Sequence, residues 1–76
     1  MNKDDRKFLR NIYDRLTIIR DEIEALKESE ENKYENMPES LRESSRGEDL
    51  QSGIDSLTDA YDYIESAVSS LDEVVE

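Results

Sequence analysis

The sequence predicts an all-α protein, an antiparallel two-helix hairpin of coiled-coil type that dimerises into a four-helix bundle. Three observations predict it. Two long runs of apolar residues step by three and four without a break, the only proline falls between them, and 41% of the 76 residues are charged. A compact sphere of this size tolerates so much charge poorly, whereas long helices bury one stripe and solvate the rest.

The first helix is expected over about residues 3–30. Leu9, Ile12, Leu16, Ile19, Ile23 and Leu26 alternate as the a and d positions of a heptad. Asn2 is a suitable N-cap, and Asp4 and Asp5 fall in the first turn, where the helix dipole favours carboxylates. Phe8, Tyr13 and Ile18 lie beside the seam and are expected to widen it. The alternation fails at Glu30 and Lys33, so the helix is expected to fade there.

A connection is expected over about 31–44. Pro38 biases Met37 away from helical geometry. Met37 and Leu41 are the apolar residues available to pin this segment to the hairpin, and Ser40 with Glu43 suggests a short capped turn.

The second helix is expected over about 45–75, opened by a capping box of Ser45 and Glu48. Its seam runs through Leu50, Ile54, Leu57, Tyr61, Ile64, Val68, Leu71 and Val75. Beside the seam, Gly53, Ala60, Ala67 and Val74 recur every seven residues. Glycine inside a helix costs about 1 kcal/mol relative to alanine, so close approach of another helix is the expected reason for Gly53. Helix packing and dimerisation are therefore assigned to Gly53, Ala60 and Ala67 with Leu57, Tyr61, Ile64, Val68 and Leu71. The pattern allows two antiparallel alignments. One sets Leu16 against Ile64 and Leu26 against Ile54; the other, a heptad away, sets Ile12 against Val75 and Leu26 against Tyr61. Either leaves Arg20 and Lys27 able to reach Glu65 or Thr58. A lone hairpin covers each seam on one side only, and a second copy would close the deficit.

Composition narrows the chemistry. The chain has no cysteine and no histidine, which removes disulfides, thiolate metal sites and the commonest general base. No nucleophile motif or glycine-rich phosphate loop occurs, and two helices enclose no pocket. No enzyme, cofactor or metal site is expected. No apolar run reaches the length of a membrane helix, so a cytoplasmic protein without a membrane partner is expected.

Charge is distributed unevenly. Residues 1–27 sum to +1, residues 28–46 to −3, and residues 47–76 carry nine carboxylates with no Lys or Arg, for a net −11 overall. Asp55, Asp59, Asp62, Glu65, Asp72, Glu73 and Glu76 form a ladder along the second helix. With Tyr63 as an exposed aromatic anchor, that ladder is the expected partner-binding face. Because the rise is about 1.5 Å per residue, these charges recur on a scale comparable with duplex phosphates. A protein partner is expected, including a nucleic-acid-binding enzyme whose basic channel the ladder would occupy. The basic end formed by Lys3, Arg6, Lys7 and Arg10 lies close to Asp4, Asp5 and the acidic helix. Internal pairing is its expected role, and direct nucleic-acid binding is not expected.

The stretch Tyr34-Glu35-Asn36-Met37-Pro38-Glu39-Ser40-Leu41, followed by acidic heptads at Ile54, Leu57, Tyr61 and Ile64, resembles a group of short acidic helical-hairpin proteins. These are encoded by phages and mobile elements of Gram-positive bacteria and carry an Asn-x-Pro-Glu-x-Leu connection. The resemblance implies an accessory protein acting in the bacterial host's cytoplasm. Phage accessory genes often encode inhibitors of host defence. The functional expectation is a non-catalytic protein that regulates or inhibits a protein partner. The alternatives are an acidic nucleic-acid mimic directed at a nuclease or defence system, in the manner of an anti-CRISPR, or a small phage structural or assembly protein.

Overall fold

A computed structural model describes residues 1–75. It consists of α1 (Lys3–Glu35), α2 (Glu39–Arg42) and α3 (Ser45–Val75), with no strand among the described residues. The two long helices lie side by side in a rod of 58 × 14 × 13 Å.

Asn2 caps α1: its side-chain oxygen accepts the Asp5 N–H at 2.8 Å, and Asp4 and Asp5 occupy the first turn. The helix runs past its expected end near residue 30 and stops at Glu35. The seam does run out of apolar residues, but residues 28–35 are tolerant of helix, and Lys33 pairs with Glu30 at 3.1 Å. The end is imposed instead by Pro38. The last turn tightens, with the Met37 N–H donating to the Tyr34 carbonyl.

The connection folds down as α2. Pro38, rather than Ser40, precedes its first residue, and the Pro38 carbonyl accepts the N–H groups of Leu41 and Arg42. The expected capping box at Ser45 does not form. Ser45 is already helical, and the carbonyl of Ser44 accepts the Glu48 N–H at 3.0 Å. The Ser44 hydroxyl donates back to the Leu41 carbonyl, which ties the end of α2 to the start of α3. Gly47 makes that junction possible. It is buried, and a Cβ built on it would collide with the backbone carbonyl of Arg42. In the sequence Gly47 belongs to no repeat, but a fold that puts two residues between helices demands it.

Cross-helix pairs fix the register. Arg20 meets Glu65, Tyr13 meets Asp72, and Glu24 meets Tyr61, so the helices are antiparallel. The two expected alignments would set Arg20 opposite Ala60 or Ala67. The observed partner lies between them, closer to the second. Ile54 and Val68 are the buried apolar side chains, 6% and 4% exposed. Most other seam residues, among them Leu16, Ile23, Leu57, Tyr61, Ile64 and Leu71, are half-buried. Ile19 and Leu26, expected in the seam, are 44% and 50% exposed, and Phe8 and Ile18 are more exposed still. In α1 the half-buried side has rolled toward Tyr13, Arg20, Glu24 and Lys27. The roll follows from the pairs above, which bond one flank of the seam to α3 and turn the other flank outward.

Candidate interaction surface

The roll divides the hairpin lengthwise into two unlike faces. On the first, polar side chains close the gap between the helices. Arg20 Nη1 donates to Glu65 Oε2 at 3.3 Å while its Nε donates to Asp21 Oδ1 at 3.1 Å. Arg10 sits 5.8 Å from the centre of the Tyr13 ring. The Tyr13 hydroxyl donates toward Asp72, and that carboxylate raises its pKa above the ordinary phenol value. Tyr61 is also raised, first by burial and then by the charge of Glu24.

Both shifts favour the neutral phenol in the folded state, so the stability they contribute is present below pH ~10 and is lost as pH rises through the folded values. Alkaline titration followed by circular dichroism should show helix lost above about pH 10. The double variant Tyr13→Phe, Tyr61→Phe should flatten that limb; an unchanged limb would mean that the tyrosines are not the groups responsible.

One of the expected partner-binding acids, Glu65, is paired with Arg20 within the hairpin, and a second, Asp72, lies beside Tyr13 while staying exposed. The sequence could reveal the first, because Arg20 falls on the flank that reaches Glu65, but gave no signal for the second. Asp55, Asp59, Asp62 and Glu73 stay exposed. Their spacing of four, three and eleven residues keeps them on one stripe of α3. Asp55 accepts from Gln51 Nε2 at 3.0 Å, and none of the four is in an ion pair among the described residues. Tyr63 stands near this stripe, 76% exposed. Glu76, the last rung expected, lies outside the described residues. At the basic end, Arg6 donates to the Met1 carbonyl, and the expected pairing with Asp4 and Asp5 does not form.

The second face is apolar and open. Phe8, Ile19 and Leu26 stand on one side of α1, related by steps of eleven and seven residues. Leu26 shares a groove of about 480 Å³ with Leu50, Gly53 and Leu57 of α3. The small residues Gly53, Ala60 and Ala67 and the exposed Val74 therefore flank this same face. A Cβ at Gly53 would meet nothing within 4 Å, so no contact inside the hairpin explains that glycine. A second hollow of about 590 Å³ continues past Asp49 and Leu50 to Met37 and Leu41 at the turn. Met37 is half-buried there, but Leu41, expected to pin the connection, remains 39% exposed. The described residues contain no group of acidic side chains placed to hold a metal ion, and none of their helices is long and apolar enough to cross a membrane.

Comparison with protein families, curated proteins and solved structures found no match. The functional reading rests on the two faces themselves.

Proposed function

We propose that this chain is a non-catalytic helical interaction protein that assembles as a homodimeric four-helix bundle. Its outer acidic stripe then engages a protein partner that it regulates or inhibits. One observation carries the reading: a single thin rod exposes large apolar side chains on one face and unpaired carboxylates on another. Apolar exposure of this extent on so small a chain favours association, and acids displayed without counter-charge steer a basic partner. With Ile54 and Val68 the only apolar side chains buried among the described residues, the hairpin has little core of its own, which supports a dimer as the working unit. The connection from Asn36 to Leu41 supports an accessory role in a phage or mobile element, exerted in the cytoplasm of a bacterial host.

A second reading, nucleic-acid mimicry, is favoured by the stripe of Asp55, Asp59, Asp62 and Glu73. These charges follow one another along a rod with no Lys or Arg on the same helix beyond Arg46. In this reading the partner is an enzyme with a basic nucleic-acid channel.

Light scattering and capture from host lysate test the proposal together. The purified chain is expected at twice its 8.9 kDa mass, and Leu26→Glu is expected to halve that value. The triple variant Asp55→Asn, Asp59→Asn, Asp62→Asn should stay dimeric and lose the partner. A partner retained at full affinity by the triple variant would remove the acidic stripe from the account. Mimicry adds that binding weakens steeply with salt and that duplex DNA competes; a salt-tolerant complex indifferent to DNA excludes it.

A further inference from the structure

We infer that the second copy seats on the open face with the two-fold axis running along the rod, so that α1 of each copy lies over α3 of the other. The inference rests on the reading above, that a second copy covers this face. Two hairpins laid face to face admit one other symmetric arrangement, with the axis crosswise, which stacks α1 on α1 and α3 on α3. Area, shape and charge can each be set against these two.

The area suits a copy of the same rod. The open face runs along a rod 58 Å long and 14 Å wide, which leaves room for the ~800 Å² per partner of a standard specific interface. Only a partner equally long and straight covers it end to end.

Shape favours the lengthwise axis. The side chains projecting from the α1 half of the face are large: Phe8, Ile19 and Leu26. The α3 half offers Gly53, Ala60 and Ala67, and space lies open at Gly53. Facing helices pack best when large residues meet small ones. The lengthwise axis preserves height along the rod. The pairing that sets Arg20 level with Glu65 then sets Leu26 level with the partner's stretch between Gly53 and Ala60. Ile19 comes level with the stretch between Ala60 and Ala67. A crosswise axis puts large on large along α1 and small on small along α3, which forces the two helix pairs to different separations.

Charge points the same way, and independently. From Gly47 onward the chain holds no Lys or Arg, so a crosswise axis would press two uncompensated acidic helices into the closest contact of the bundle. The lengthwise axis instead places each α3 beside the helix that carries Arg15 and Lys33 as well as acids.

Three serines allow a direct test. Ser45, Ser52 and Ser70 are exposed and follow one edge of α3 at steps of seven and eighteen residues, between the open face and the acidic stripe. The chain has no cysteine, so Ser45→Cys, Ser52→Cys and Ser70→Cys each create a unique site for a nitroxide. Intermolecular distances are then read by pulsed electron spin resonance. The lengthwise axis requires the same distance at all three sites, because every residue is level with its own counterpart. A crosswise axis changes the axial offset by about 3 Å for each residue of height, and no placement of it makes all three alike. Three equal distances support the inference. Unequal distances in a protein that scatters as a dimer overturn this arrangement and leave the dimer standing. A monomeric mass with no intermolecular distance overturns the dimer reading itself.

Discussion

Ile54→Ala and Val68→Ala are each expected to cost about 2–4 kcal/mol and, combined, to leave the chain without a cooperative thermal transition. Elsewhere in α3 the seam is half-buried and can relax, but these two side chains are enclosed, with 6% and 4% of their surface exposed. They stand fourteen residues apart, one toward each end of the helix pair, so neither can compensate for the other. Truncation removes several methyl or methylene groups and leaves a void that two helices held apart by Tyr61 and Arg20 cannot close. Domain stability spans about 5–15 kcal/mol, and a chain this short belongs at the lower end. Leu9→Ala or Val75→Ala, near the free ends, should cost far less. Urea or thermal unfolding followed at 222 nm would compare them. Equal losses at Leu9 and Val68 would mean that burial in the hairpin does not set the stability.

Gly47→Ala should have the second largest effect, about 1–3 kcal/mol, although an exposed glycine-to-alanine change inside a helix ordinarily stabilises. The collision is with the carbonyl, carbon and Cα of Arg42. Backbone at the end of α2 cannot rotate aside as a side chain would. Either α2 lifts from α3, breaking the Ser44–Leu41 tie, or the first turn of α3 unwinds. Gly53→Ala is the matched control. Its Cβ meets nothing within the hairpin, so the helix should gain up to about 1 kcal/mol from it, and any loss would register only through a partner on the open face. Hydrogen exchange at Leu41, Arg42 and Glu48 would localise the Gly47 defect. Unchanged protection there would show that the junction is not what needs a glycine.

Both glycines were visible in the sequence, and the sequence ranked them the wrong way round for the hairpin. Gly53 repeats with Ala60 and Ala67 and so attracts an explanation. Gly47 repeats with nothing, because the neighbour that excludes a side chain there comes from α2 and is set by the sharpness of a turn. The candidate surface divides similarly. Spacing alone places Asp55, Asp59 and Asp62 on one stripe, since i, i+4 and i+7 share a helical face in any register. Whether Glu65 and Asp72 join that stripe depends on how far α1 has rolled, and the roll brings Arg20 and Tyr13 to them.

The sequence by itself determined two helices, the proline between them, the seam of the second and the excess of acid on it, because periodicity and composition are properties of a helix taken alone. The tertiary structure decided the register between the two expected alignments, the length of α1, the need for Gly47, and which flank of the seam is left uncovered. A heptad pattern repeats, so alignments a few residues apart bury similar surface. The choice falls to the few polar side chains that meet across the gap, here Arg20 with Glu65 and Tyr13 beside Asp72.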